Sequence, residues 1–152
     1  MSLKAQTPAN FSGRWEFDRI NSDKDDTGDA SFDGTIILEI KQNPDIISFS
    51  NTFFLPGKEG INPGTESFPA DGKVTTDNSG SDPAKKFIKW SRNNTVLTTN
   101  YIMTASIDGV AQDFITATTY KLSQDGKTLF VEDFSKSKLN GEKTIKKVYK
   151  KK

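Results

Sequence analysis

Apolar and polar residues alternate with a period of two along almost the whole chain, broken by clusters of Gly, Pro, Asn and Asp. This is the pattern of half-buried strands joined by turns. In the first segment, Phe11 to Arg19, the side chains of Trp15, Phe17 and Arg19 share one face and Glu16 and Asp18 the other, with Gly13 permitting a tight bend. Ile36, Leu38 and Ile40 share a face of Thr35 to Gln42; Asn43-Pro44-Asp45 then turns the chain, and Ile47, Phe49, Asn51 and Phe53 share a face of the next segment. Pro56-Gly57 ends that strand, and Gly60 to Gly64 reads as loop. A short strand around Thr65 to Phe68 meets Asp71-Gly72-Lys73, a hairpin signal, and its partner is expected to reach Thr76. After the loop Asn78 to Pro83, Ile88, Trp90 and Arg92 align in Lys85 to Arg92, and Leu97, Thr99, Tyr101 and Met103 in Thr95 to Thr104. Beyond Asp108-Gly109, the strand Asp113 to Leu122 carries Phe114, Thr116, Thr118, Tyr120 and Leu122 on one side. Gln124-Asp125-Gly126 leads into Thr128 to Phe134, and Asn140-Gly141 into Lys143 to Lys150.

No window has a helical period. A run of short strands joined by tight turns predicts an all-β fold, an antiparallel up-and-down β-barrel of about 8–10 strands. Closing such a meander removes its two exposed edges, and a barrel of about eight strands has room for one small ligand. Threonine and tyrosine at Thr99, Tyr101, Thr116, Thr118 and Tyr120 suit a partly polar interior better than a solid hydrocarbon core.

With 152 residues the chain is the size of one domain, and its apolar surface is aromatic-rich, with 11 Phe, 3 Tyr and 2 Trp against 2 Met. The sequence has no cysteine and no histidine. That removes disulfides, thiolate nucleophiles, histidine-based triads and the usual zinc ligand sets. Catalysis would have to use carboxylates, lysines or tyrosines, and no pair is placed by the sequence, so a non-catalytic protein without cofactor or metal is expected. No apolar run approaches the ~18 residues of a membrane-spanning helix, so stable membrane insertion is not expected. Residues 1–10 read as a frayed N-terminus: Met1-Ser2-Leu3 looks like a start added for expression, and Lys4-Ala5-Gln6-Thr7-Pro8 resembles the beginning of a mature chain whose secretory signal has been removed. The barrel domain is then 11–150 and its location periplasmic or secreted; a cytoplasmic protein with a polar end is the other reading.

Phe11 before Gly13-Arg14-Trp15 resembles the opening G-x-W of lipocalins and fatty-acid-binding proteins. Leu38-Glu39-Ile40-Lys41-Gln42, Ala70-Asp71-Gly72-Lys73 and Lys147-Val148-Tyr149-Lys150 are similar to successive landmarks of the fatty-acid-binding branch. The resemblance covers nearly the whole chain and implies a calycin barrel with an internal ligand site, Gly13 and Trp15 forming a structural plug at one end. Two features depart from that branch. A helix-turn-helix lid comes after its first strand, whereas Asn21 to Gly34 is short and acidic and reads as an open loop, closer to a compact bacterial lipocalin-like protein. Its final strand carries Arg-x-Tyr for a ligand carboxylate, where this chain has Lys147 and Tyr149, and lysine lacks arginine's bidentate fork.

The candidate ligand-binding residues are Phe17, Arg19, Phe49, Trp90, Tyr101, Thr118, Tyr120, Lys147 and Tyr149. If Lys147 and Arg19 point inward, burial requires water, a carboxylate or an anionic ligand beside each. Alternatively, Arg19 lies over the indole of Trp15 and Lys147 reaches solvent. Asp23 to Asp29 begins like a calcium loop, but Gly34 stands where the closing glutamate belongs, so a solvated mouth loop is expected instead. Charge is lopsided: residues 1–76 hold 7 Lys/Arg against 12 Asp/Glu, residues 77–152 hold 14 against 8, and Lys136 to Lys152 contains 8 lysines. With no arginine and little aromatic interleaving in that tail, nucleic acid is not an expected partner. The lysines instead discourage edge-to-edge association. The expected function is binding or transport of a small hydrophobic or amphipathic ligand, with an acidic head group as one option. The alternative is an interaction module with a packed interior that binds a protein or polyanion through its loops or lysine face.

Overall fold

The alternating segments become ten antiparallel strands in the computed structural model, which describes residues 7–24, 29–78 and 80–152. The first five are β1 (Gly13–Phe17), β2 (Thr35–Gln42), β3 (Ile46–Phe54), β4 (Thr65–Pro69) and β5 (Thr75–Asp77). They are followed by β6 (Ala84–Trp90), β7 (Val96–Ile107), β8 (Val110–Leu122), β9 (Thr128–Ser137) and β10 (Gly141–Lys151). The strand order is β4-β3-β2-β1-β10-β9-β8-β7-β6-β5, an up-and-down meander in which the first strand pairs with the last. Trp15 stands opposite Lys151 and Phe17 opposite Tyr149, so the start and finish of the chain close on each other. No helix among the described residues is long and apolar enough to cross a membrane.

The turn chemistry explains the longest ladder. Asp108 (φ 53) and Gly109 (φ 77) both adopt left-handed backbone between the paired residues Ile107 and Val110, a two-residue type I′ connection whose twist matches the flanking strands. Pairing therefore continues through Ala105, Ser106, Ala111 and Gln112, beyond the ends expected at Thr104 and Asp113.

The expected hairpin at Asp71-Gly72-Lys73 is not one. The turn forms, with the Lys73 N–H donating to Asp71 Oδ1 at 2.9 Å and Gly72 at φ 82, but β4 and β5 do not pair and are the two free ends of the sheet. Pro69 ends β4 without an N–H to donate, and the turn crosses to β6, where a Cβ on Gly72 would come within 3.1 Å of the Ile88 carbonyl oxygen. Side chains span the interval instead. Lys86 on β6 places Nζ 3.5 Å from Glu66 Oε1 and 4.9 Å from the Phe68 ring centroid, both on β4.

One end of the barrel is solid. Phe11, Trp15, Ile40, Ile47, Leu97 and Leu129 are buried there almost completely. Phe11 folds under the sheet, its ring 6.0 Å from Trp90 and its N–H donating to Gln42 Oε1 at 3.0 Å. The Trp15 indole N–H donates to the Phe11 carbonyl at 3.0 Å, and Lys151, rather than Arg19, lies over the indole at 5.5 Å. Replacing Trp15 by phenylalanine leaves that carbonyl buried without a donor, and should cost about 1–3 kcal/mol in a urea titration. A loss below roughly 0.5 kcal/mol, the range of ordinary surface substitutions, would show that the indole does not anchor the closed end.

Candidate functional site

Above the solid end, the interior opens into a cavity of about 450 Å³, within the range of small-molecule sites. Alternation carries each strand's inward residues up the wall in tiers. The floor is aromatic and aliphatic: Leu38, Phe49, Phe68, Tyr120, Val131 and Tyr149. Phe49 stacks on Tyr120 with centroids 4.8 Å apart and meets Phe68 edge-on at 5.9 Å, an offset and T-shaped set that fixes the floor's shape. The next tier toward the mouth is polar, formed by Asn51, Glu66, Thr118, Asp133 and Lys147, with Asp29 contributed by the segment between β1 and β2. The space is thus amphipathic along its own axis.

Lys147 is the centre of the polar tier. Its ammonium lies 2.8 Å from Asp29 Oδ2 and 2.7 Å from Asp133 Oδ2, with the lysine side chain 16% exposed. Thr118 donates its hydroxyl to Asp133 Oδ1 at 2.9 Å. Burial alone would pull the lysine down, but the charges and hydrogen bonds of Asp133 and Asp29 outweigh it and hold Lys147 above its ordinary value. The phenols of Tyr120 and Tyr149 are pushed far up, first by burial and then by nearby carboxylates, chiefly Asp133 for Tyr120 and Asp29 for Tyr149. Both tyrosines are therefore neutral donors at physiological pH.

Asp29 reaches the lumen because the chain after β1 is tied along β10. Asp18 N–H donates to the Val148 carbonyl at 2.8 Å, Ser22 Oγ accepts from Val148 N–H at 2.9 Å, and Asp23 exchanges two bonds of 2.8 Å with the backbone of Lys146. Asp25, Asp26, Thr27 and Gly28 of the calcium-like stretch lie outside the described residues. Among those described, no group of three or more acidic side chains is placed to hold a metal ion.

Of the residues singled out from the sequence, Phe49, Thr118, Tyr120, Lys147 and Tyr149 line the cavity together. Phe17 packs on Tyr149 at 5.5 Å and Trp90 belongs to the closed end, both outside the lining. Tyr101 borders a smaller recess that shares Glu66, Phe68, Thr99 and Thr118 with the main space. Arg19 is exposed, and its guanidinium donates to the carbonyls of Phe32 and Gly34. It stitches the mouth segment rather than facing a ligand. The residues that sequence reasoning missed are mainly charged: Asp133 on the inward register of Leu129 and Val131, Glu66 on that of Phe68, and Asp29. Parity alone marks Asp133 and Glu66.

The sequence matches no protein-family model and no curated protein. Among solved structures the chain is similar to zebrafish ileal bile acid-binding protein complexed with cholic acid, at 20% identity and a TM-score of 0.48, over 93% of this chain and 98% of that one.

Proposed function

We propose that the protein binds, and by releasing it elsewhere carries, one small amphipathic molecule inside the barrel. The observation that carries this reading is the 450 Å³ space with an aromatic floor and a polar upper tier, a lining that suits a molecule with one oily end. Within the same reading we take the chain as a compact lipocalin-like carrier working outside the cytoplasm. In support of the lidless form, the described part of the segment between β1 and β2 contains only the three-residue 3-10 helix Asp29–Ser31.

The test is uptake. Protein purified without detergent should show a non-covalent adduct by native mass spectrometry, or take up the neutral dye N-phenyl-1-naphthylamine at one equivalent with a blue-shifted emission. A protein that arrives empty and leaves the dye in water would overturn the reading. Salt-sensitive heparin binding, lost when the exposed Lys146, Lys150 and Lys152 are replaced by glutamine, would then point to the interaction module.

A further inference from the structure

The charge in the lumen is the opposite of what capture of an acid requires. Lys147 already contacts two carboxylates, and the third lining carboxylate, Glu66, is met among the described residues by Lys86 from across the free edges. Three carboxylates thus face two ammonium groups around this space. An incoming carboxylate would be the fourth, at a lysine whose charge is doubly compensated. The acceptors also retain capacity. Each oxygen of Asp133 takes one bond, from Thr118 and Lys147, while a carboxylate offers about four lone-pair sites. Asn51 also lines the space, but its Oδ1 is sealed from the lumen as well as from bulk water, so the acceptors open to a guest are the carboxylates. The rings of Phe49, Phe68 and Tyr120 line the same space, and Phe68 already holds the Lys86 ammonium over its ring at 4.9 Å.

Resting on the carrier reading above, we infer that the lumen selects an apolar molecule bearing a protonated amine and rejects the matching carboxylate. The ammonium sits against Asp133 and Asp29, where charge-assisted bonds replace its lost water. The hydrocarbon or ring portion rests on the aromatic floor.

Decylamine, decanol and decanoate, equal in chain length, would be titrated at pH 7 against the intact protein loaded with N-phenyl-1-naphthylamine. Decylamine should displace the dye at a concentration at least about ten-fold lower than decanoate, the factor that one charge-assisted hydrogen bond confers, with decanol between. Asp133→Asn and Glu66→Gln should each reduce the amine-to-acid ratio several-fold. The ratio is read within each variant, so a general loss of affinity or a fraction of unfolded protein does not move it. Equal displacement by decanoate, or a ratio unchanged in both variants, overturns the inference and leaves the carrier reading standing. Failure of the dye to bind at all overturns both.

Discussion

Lys147→Met is expected to lose about 3 kcal/mol of folding stability at neutral pH. Removing one partner of a buried ion pair leaves uncompensated charge, at about 3–5 kcal/mol, and the lower end applies because Asp29 and Asp133 are 23% and 29% exposed and keep partial access to water. The loss has a signature that a packing defect lacks. Without the ammonium the two carboxylates oppose each other, so adding Asp133→Asn, which removes one of the two charges, should restore more than half of the loss at pH 7. Urea denaturation of the parent, single and double variants at pH 7 checks both statements. A cost under about 1 kcal/mol, the size of a surface pair, would mean that the triad is solvated rather than structural.

The second large effect is alkaline unfolding with a sharp onset. Tyr120 and Tyr149 ordinarily lose their protons near 10.0 and Lys147 near 10.5, and the fold raises all three. Below about pH 10 both folded and unfolded chains hold these protons, and the groups add no pH dependence. Above it the unfolded chain releases the tyrosine protons while the folded chain does not, so stability falls by about 1.4 kcal/mol per pH unit per tyrosine, roughly 3 kcal/mol per unit for the two, and Lys147 adds to the loss in the same direction. A domain with about 5–15 kcal/mol of stability would unfold within a few pH units of that onset. Tyrosinate absorbance near 295 nm, followed together with circular dichroism, is the check. The signal from two of the three tyrosines should appear only as the sheet melts; full ionisation in a protein that retains its circular dichroism would refute the burial of Tyr120 and Tyr149.

The winding of the sheet was legible because strand parity and turn residues agree. Leu97, Thr99 and Tyr101 alternate without interruption, and Asp108-Gly109 can scarcely do anything but reverse the chain. The break between β4 and β5 was not legible, because Asp71-Gly72 turns the chain whether or not the flanking strands pair. Only Pro69 hints at the difference. At the site, Lys147 stood out as a cation on an apolar face, and the need for a partner followed from its burial. Which partner could not follow. Asp29 and Asp133 lie 118 and 14 residues away along the chain, and a carboxylate within an alternating strand reads as solvent-facing unless its counter-charge is known. Arg19 misled for the complementary reason: it continues the parity of Trp15 and Phe17, but β1 ends at Phe17, and past that point the backbone no longer dictates where a side chain points.

The unpaired edges of β4 and β5 also bear on how large a guest the protein can admit. Everywhere else around the girth, spreading two strands means breaking a ladder of main-chain bonds. Between β4 and β6, among the described residues, no ladder runs: the ion pair of Lys86 with the half-exposed Glu66, worth about 1 kcal/mol or less, joins the Lys86–Phe68 ring contact and the shared burial of Phe68 and Ile88 in holding the wall together. This is the one seam between described strands that no main-chain ladder closes, so under the carrier reading a bulky guest would be admitted there with the rest of the woven backbone intact.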